Sequence, residues 1–274
     1  MPGNTKNDTV VLIPNFNGGE ALFKTISSIE SAESVDVLVV DDGSDVPPTE
    51  DDLSKAFKAY GNVKLFKLGR NQGIVAALNK GLEIAEQENY SYVARLDAGD
   101  RNQGLRFSKQ RDFLEKNPHV ALVGCWVEFI NPDGDHLFVL KHPVHGEEIK
   151  KAIYRYNPFV HPATMFRLQA VQAVGGYPDD YPALEDWACF LELSKKWDLA
   201  NLPEVLLQYE VSPRSISTTK RCRQSRSKVK LLWDNYNFSM NSTVGLIKNF
   251  LILVFPRGVL THLKKYIYRR DPES

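Results

Sequence analysis

The stretch YVARLDAGD, Tyr92 to Asp100, is an apolar run of strand type that stops on two carboxylates. Only Ala98 and Gly99 part Asp97 from Asp100 in the final turn. Like charges at the end of a buried strand repel, so this arrangement calls for a compensating cation. The segments before it repeat the pattern. VVLIPNF (Val10–Phe16) is a continuous apolar strand, and Leu22, Phe23, Ile26 and Ile29 mark one face of a helix beginning at Glu20. VDVLVVDDGS (Val35–Ser44) is a second strand that ends in acids. TEDDLSKAFKAYG (Thr49–Gly61) carries an N-cap threonine, an acidic first turn and a closing glycine, which predicts a helix. NVKLFKLG supplies a third strand, GIVAALNKGLEIAEQE a helix, and YSYVARLD the fourth strand.

Strand and helix alternating at this spacing predict an α/β fold with a mainly parallel sheet covered on both faces. Open parallel sheets bind ligands beyond the C-terminal ends of their strands. Asp41, Asp42, Asp97 and Asp100 all fall at such ends and are expected to share one crevice. Further on, RFSKQRDFLEKNP reads as a helix closed by Pro118, VALVGCWVEFI as a strand and EEIKKAIYRY as a short helix. FVHPATMF reads as extended, LEDWACFLELSKKW as a helix and LANLPEVLLQYEV as extended. After Pro213 the chain turns basic in RSISTTKRCRQSRSKVK, and LTHLKKYIYRRDPES mixes apolar and cationic residues at helical spacing. The expected organisation is a disordered tail over residues 1–8, an α/β domain over 9–211 and a basic, amphipathic helical extension over 212–274. Within the domain, residues 9–100 and 101–211 are expected to form two halves.

Bulk properties narrow the field. The chain has 274 residues, 43% hydrophobic and 25% charged, with a formal net charge of +0. No global field draws it to nucleic acid, and none is expected as a partner. Its 3 cysteines form no C-x-x-C pair, and an odd count fits a reducing, cytoplasmic setting. The opening MPGNTKND lacks the apolar core of a signal peptide. No segment reaches the roughly 20 apolar residues of a membrane span; VGLIKNFLILVF (Val244–Phe255) is short and carries Lys248.

The acidic clusters each admit two readings. DDGS (Asp41–Ser44) is either a turn or a nucleoside clamp, in which a carboxylate accepts from ribose or base and Gly43 permits close approach. Asp97 and Asp100 are either a solvated turn or oxygen ligands for Mg²⁺ or Mn²⁺. Glu185 and Asp186 in ALEDW either favour a helix start electrostatically or supply a general base with a raised pKa beside Trp187. His161 is either a hydrogen-bonded structural residue or a contact to diphosphate or metal. Arg70 and Arg95 sit at sheet ends and offer forked donors to phosphate, although Arg95 and Asp97 also share a strand face and fit an ion pair.

In order and spacing, VVLIPNFN, VLVVDDGS, LGRNQGIVAALNKGL, YVARLDAGD, RFSKQRDFLEKNPHVALVG, NPFVHPATMFR, GGYP and LEDWACFLEL resemble the family 2 glycosyltransferases of GT-A fold. The run from Arg95 through Gly124 to His161 is most similar to bacterial enzymes that build O-antigen and capsule. The resemblance implies a Rossmann-like, mainly parallel sheet flanked by helices, a donor that is usually a UDP-sugar, and inversion at the anomeric carbon. It places uracil and ribose at Pro14, Asn15, Phe16, Asn17 and Asp42. Arg70, Gly73, Arg95 and Asp97 lie near the nucleotide. It puts the metal, Mn²⁺ or Mg²⁺, at Asp97 and Asp100 with His161 close by, and the general base at Asp186 with Glu185 beside it.

Two departures matter. The family pattern is Asp-x-Asp-Asp, and its third position is Gly99 here. RQSRS (Arg223–Ser227) does not match Q-x-x-R-W, which argues for addition of a single sugar rather than processive synthesis. The expected acceptor is a glycan on a polyprenyl diphosphate at the inner membrane face, with Lys264, Lys265, Arg269 and Arg270 meeting anionic lipid. A non-catalytic nucleotide-sugar binder, impaired through Gly99, is the competing reading. A nucleotidyltransferase is a third, although NFNGGE lacks the basic residue of a phosphate loop.

Overall fold

The computed structural model describes residues 7–211 and 221–254. Four strands, β1 (Thr9–Asn15), β2 (Asp36–Asp41), β3 (Val63–Lys67) and β4 (Tyr92–Arg95), pair in parallel. Five more follow: β5 (Arg101–Asn102), β6 (Val120–Ile130), β7 (His136–Leu140), β8 (Met165–Arg167) and β9 (Asp198–Glu210). The sheet order is β3-β2-β1-β4-β8-β6-β9-β5, with β7 paired to β6. Strand β8 runs antiparallel to both β4 and β6 and so joins the parallel half to the rest. The helices are α1 (Glu20–Ser27), α2 (Glu50–Ala56), α3 (Ile74–Gln87), α4 (Arg106–Lys116) and α5 (Gly146–Ala152), then α6 (Leu168–Gln172), α7 (Glu185–Ser194), α8 (Arg221–Asp234) and α9 (Met240–Val254).

The continuous apolar runs have a simple cause. Alternate residues of β1 and β2 enter two different cores. Val10, Leu12, Leu38 and Val40 pack on one face with α3 and α7. Val11, Ile13, Val37 and Val39 pack on the other with α1 and α4. Both faces are dry, so no polar alternation survives in the sequence.

Local chemistry fixes the ends. Thr49 caps α2 by accepting from the Asp52 amide at 3.2 Å, but the helix stops at Ala56, before the glycine expected to close it. Phe57 is already extended and packs against the core. The segment expected to be extended at Phe159–Phe166 holds one 3₁₀ turn, His161–Ala163, before β8. Asn7 and Asp8, placed in the expected disordered tail, are tied down. The Asn7 amide donates to Asp36, and the Asp8 carbonyl accepts from Ser91 and Tyr92.

The described part of the basic extension, residues 221–254, packs on the domain. Leu231 and Leu232 of α8 are buried in the same core as α3 and α7. Gly245 of α9 lies so close to Tyr154 that a Cβ there would stand 1.9 Å from its carbonyl oxygen. The four cations expected to meet lipid, Lys264 to Arg270, fall outside the described residues. Among the described residues no helix is long and apolar enough to cross a membrane.

Helix α4 has no capping side chain of its own. Buried Glu33 takes that role from across the fold. It accepts from the amides of Phe107 at 2.8 Å and Ser108 at 3.0 Å, and from the Ser108 hydroxyl at 2.5 Å. A charged acceptor at a helix N-terminus satisfies donors that are otherwise orphaned in the core. Glu33→Ala is therefore expected to destabilise the protein by about 2–4 kcal/mol, read as a lower urea midpoint with an unchanged slope.

Candidate active site

A cavity of ≈ 570 Å³ opens at the C-terminal ends of β1 and β2. Pro14, Asn15 and Phe16 form one wall and Asp42 with Asn71 to Val75 another. Asp179, Pro182, Ala183 and Glu185 close it from the side of α7.

The two aspartates of DDGS do different work. Asp41 is buried and accepts from the Asn15 side-chain amide at 2.6 Å and from the Ser44 hydroxyl at 2.6 Å, so it braces the turn. Asp42 lines the cavity and accepts from the amides of Gln72 at 2.7 Å and Gly73 at 2.8 Å. It thereby pulls the start of α3 against β2. Gly43 has φ +77, and a Cβ there would meet the Arg70 carbonyl carbon at 2.4 Å. Only glycine lets the two loops approach this closely. Phe16 stays 51% exposed at the mouth, an apolar plane open to a ligand.

Several predicted binding residues are spent elsewhere. Asn17 does not line the cavity; its side chain clasps Asp45, donating at 3.0 Å and accepting at 2.9 Å. The Arg70 side chain is exposed, whereas its neighbours Asn71 and Gln72 form the wall. Arg95 is wholly buried and is a structural hub rather than part of the cavity lining. Its guanidinium donates to the Leu12 carbonyl, to the Leu96 carbonyl at 3.3 Å, to Asp97 at 2.6 Å and to His161 Nε2 at 3.2 Å. His161 Nε2 also meets the Tyr177 hydroxyl at 2.9 Å. Burial, with Arg95 beside it, holds the imidazole well below its ordinary pKa and so neutral. This nitrogen is already engaged, which leaves His161 in the hub and not among open metal ligands.

The DAGD turn is pinned from α1: Thr25 donates to the Asp100 carbonyl at 2.7 Å and accepts from the Gly99 amide at 2.9 Å. Its two carboxylates diverge. The Asp97 side chain is 40% exposed and paired with Arg95. Asp100 is buried and accepts from the Glu210 amide at 3.2 Å, while its other oxygen has no partner and no solvent contact. Burial, then the Asp97 charge, pushes Asp100 well above the carboxylate range. Gly99, at φ +111, has open space where a Cβ would stand. Among the described residues no cluster of three ligating side chains forms. Asp97 alone offers an accessible oxygen. That fits a Mg²⁺ or Mn²⁺ ion completed by substrate phosphates and water, and it does not fit an all-protein cage.

Glu185 and Asp186 open α7 and face different ways. Glu185 lines the first cavity with one carboxylate oxygen buried and unpartnered. Burial, then the neighbouring Asp186, raises it to about 7. Asp186 lines a second cavity of ≈ 400 Å³, and Asn157 donates to it at 2.9 Å. Burial pushes its carboxyl to about 6, with Asp97 adding to the rise. Ala183 belongs to both cavities and adopts φ 63, an uncommon backbone for a residue with a Cβ. The two cavities therefore meet at the start of α7. Asn71, Gln72 and Asn157 lie within the motifs LGRNQGIVAALNKGL and NPFVHPATMFR, but nothing in those motifs singles them out, because only the folded loops bring them to the site.

Comparison with known proteins identifies the family and the fold. The model of Glycosyl transferase family 2 matches residues 10–174. The chain is 31% identical over 238 residues to UDP-Gal:alpha-D-GlcNAc-diphosphoundecaprenol beta-1,3-galactosyltransferase of Escherichia coli, covering 86% of this chain and 84% of that one. It is 28% identical over 244 residues to the amylovoran biosynthesis glycosyltransferase AmsE of Erwinia amylovora, covering 86% and 87%. Among solved structures it is similar to S. aureus TarS 1-349 in complex with UDP, with TM-score 0.66 at 15% identity, covering 93% of this chain and 73% of that one. It is also similar to the mannosyltransferase PcManGT of Pyrobaculum calidifontis in complex with GDP-Man and Mn2+, with TM-score 0.63 at 16% identity and coverage of 91% and 70%. The fold is thus of the GT-A kind, and the chain belongs to glycosyl transferase family 2.

Proposed function

We propose that this glycosyltransferase moves one sugar from a UDP-sugar to a lipid-linked glycan hydroxyl with inversion, and that Asp186 is the general base. The observation that carries this reading is the split at the start of α7, where Glu185 lines one cavity and Asp186 the other. The first cavity takes the donor: Phe16 offers a stacking plane, and Asp42, Asn71 and Gln72 offer polar contacts to a nucleoside. The second takes the acceptor. The Escherichia coli relative, named for UDP-Gal and a diphosphoundecaprenol acceptor, supports both choices.

The chemistry follows from the groups present. Asp186 removes the proton of the acceptor hydroxyl. The freed oxygen forms a bond to the anomeric carbon from the face opposite the diphosphate. The bond from that carbon to the diphosphate oxygen breaks, and its electron pair leaves with UDP. Asn157 donates to one oxygen of Asp186 and fixes the orientation of the carboxylate. Asp97, fixed by Arg95, would hold the divalent cation, which when bound supplies charge neutralisation for the leaving diphosphate.

Three results test the reading. Asp186→Asn is expected to cut sugar transfer by roughly 10²–10⁴-fold while UDP still raises the melting temperature. Wild-type kcat/KM should fall as pH drops through about 6, because the base is then protonated. Near-normal UDP release from Asp186→Asn across a screen of nucleotide sugars would remove Asp186 from the reaction. If UDP stabilises the protein and no nucleotide sugar turns over with Mn²⁺ or Mg²⁺, the chain is a non-catalytic binder. Asp97→Ala should weaken metal-dependent UDP release at least about tenfold and raise the Mn²⁺ concentration for half-maximal rate.

Glu185 has a different signature. Its native pKa is raised to about 7 from 4.5, so its contribution to stability is fully present below 4.5 and is lost as pH rises through 7. Glu185→Gln should therefore stabilise the protein by about 1–2 kcal/mol at pH 8 and by much less at pH 5, measured by urea unfolding at both.

A further inference from the structure

The second cavity holds three basic side chains besides Asp186. Arg155, Lys228 and Lys248 all line it. They come from three places: the segment after α5, helix α8 and helix α9. None of the three forms an ion pair among the described residues. Burial lowers the Lys228 pKa while the Asp186 charge opposes that fall and Lys248 adds to it, so the groups sense each other. The fold builds this convergence on purpose-shaped backbone. Gly245 lets α9 lie flat against Tyr154 and Arg155, with the Arg155 Cα only 3.0 Å from where a Cβ would stand. One helical turn on, Lys248 and Asn249 reach the cavity. Lys228 is half-buried, and Arg155 and Lys248 stand exposed at the cavity's rim; like charges converging there repel each other, which an anion offsets.

We infer that Arg155, Lys228 and Lys248 bind the diphosphate of the lipid-linked acceptor and hold its sugar hydroxyl against Asp186. This assignment rests on the transferase reading above and names the subsite that selects its acceptor. Two phosphates carry enough negative charge to meet three cations, and Asn249 and Gln224 add polar groups on the same wall. The apolar remainder of such an acceptor also has a path. Ile252 lines the cavity, and Phe250, Leu251, Leu253 and Val254 of the same helix are exposed around the last turn of α9, with Phe250 at 53% and Val254 at 54%. A polyprenyl chain leaving the diphosphate past Ile252 would meet this apolar helix end. The cations thus recognise the linkage and not the sugar, so an acceptor with a neutral aglycone loses the contact.

The probe is dodecyl diphosphate, titrated calorimetrically with UDP saturating so that the donor cavity is filled. Wild type should bind it, and Lys228→Met/Lys248→Met should weaken binding at least about tenfold, with Arg155→Met weakening it separately. Lys248→Arg should retain binding. UDP affinity and the melting temperature should stay near wild type in each variant, and Arg155→Met tests the claim from another segment should the double variant misfold. Dodecyl maltoside, which shares the chain and lacks the charge, should show no dependence on these substitutions. Equal affinity of wild type and both variant forms for dodecyl diphosphate would overturn the assignment. So would variants that lose flotation with phosphatidylglycerol vesicles yet keep full dodecyl diphosphate affinity, since the cations would then be a headgroup patch. Failure of UDP to bind wild type would sink the transferase reading instead, and the diphosphate titration repeated without UDP would still report on the basic wall.

Discussion

The site depends on one buried guanidinium. Arg95 lies at the end of β4 with no solvent contact, and every direction it points is taken: the Leu12 and Leu96 carbonyls, Asp97 and His161. A second buried arginine, Arg106, donates back to the Arg95 carbonyl at 3.0 Å and to the Pro162 carbonyl at 2.7 Å. Strand β1, the DAGD turn, the 3₁₀ turn and α4 are thereby locked to one another. A buried cation without its counter-charge costs several kcal/mol. Asp97 therefore serves the fold before it serves any ligand. Its charge is required whether or not a metal is present, and its orientation is set in advance.

That constraint explains why the DAGD turn tolerates its acids differently from the expected shared cation. Repulsion between Asp97 and Asp100 is relieved by separation of roles. Asp97 is neutralised by Arg95, and Asp100 is turned inward toward Glu210 with its pKa raised, so the second charge is suppressed. With Gly99 at the remaining position, the turn presents one accessible carboxylate, and a metal held there would need donor phosphates and water to complete its coordination.

Much of this was legible in the sequence. The apolar runs of β1, β2 and β4 announced strands buried on both faces, but of the four acids expected to share a crevice, Asp41, Asp42, Asp97 and Asp100, only Asp42 lines the cavity, because Asp41 and Asp100 turn inward and Asp97 pairs with Arg95. Asp42 and Glu185 do line a common cavity, and the Asp97 charge is felt by Glu185 and Asp186. What a single chain could not reveal was direction. Nothing in VLVVDDGS says that Asp41 braces Ser44 while Asp42 grips the next loop. Nothing in VARLD says that Arg95 turns into the core. The period of a strand assigns a face, and long-range partners decide what that face meets. Lys228 and Arg155 were invisible for the same reason: they are ordinary basic residues until α8 and α9 fold back on the domain. The basic composition after Pro213 pointed outward to lipid, whereas part of it turns inward to a cavity.

The inward turn has an electrostatic consequence for Asp186. Burial and the Asp97 charge both push this carboxyl upward. An anionic acceptor entering the same cavity would push it further and leave the base protonated near neutral pH. Arg155, Lys228 and Lys248 offset that effect where the acceptor's own charge would arise. Cations that held a diphosphate there would also favour the ionised form of the neighbouring carboxylate. A neutral acceptor needs no such offset, and a cavity built for one would carry a penalty in unpaired charge. The basic wall is thus understandable only together with the acid it faces. The start of α7 is where the two requirements meet: a carboxylate basic enough to take a proton, and a substrate whose charge would otherwise silence it.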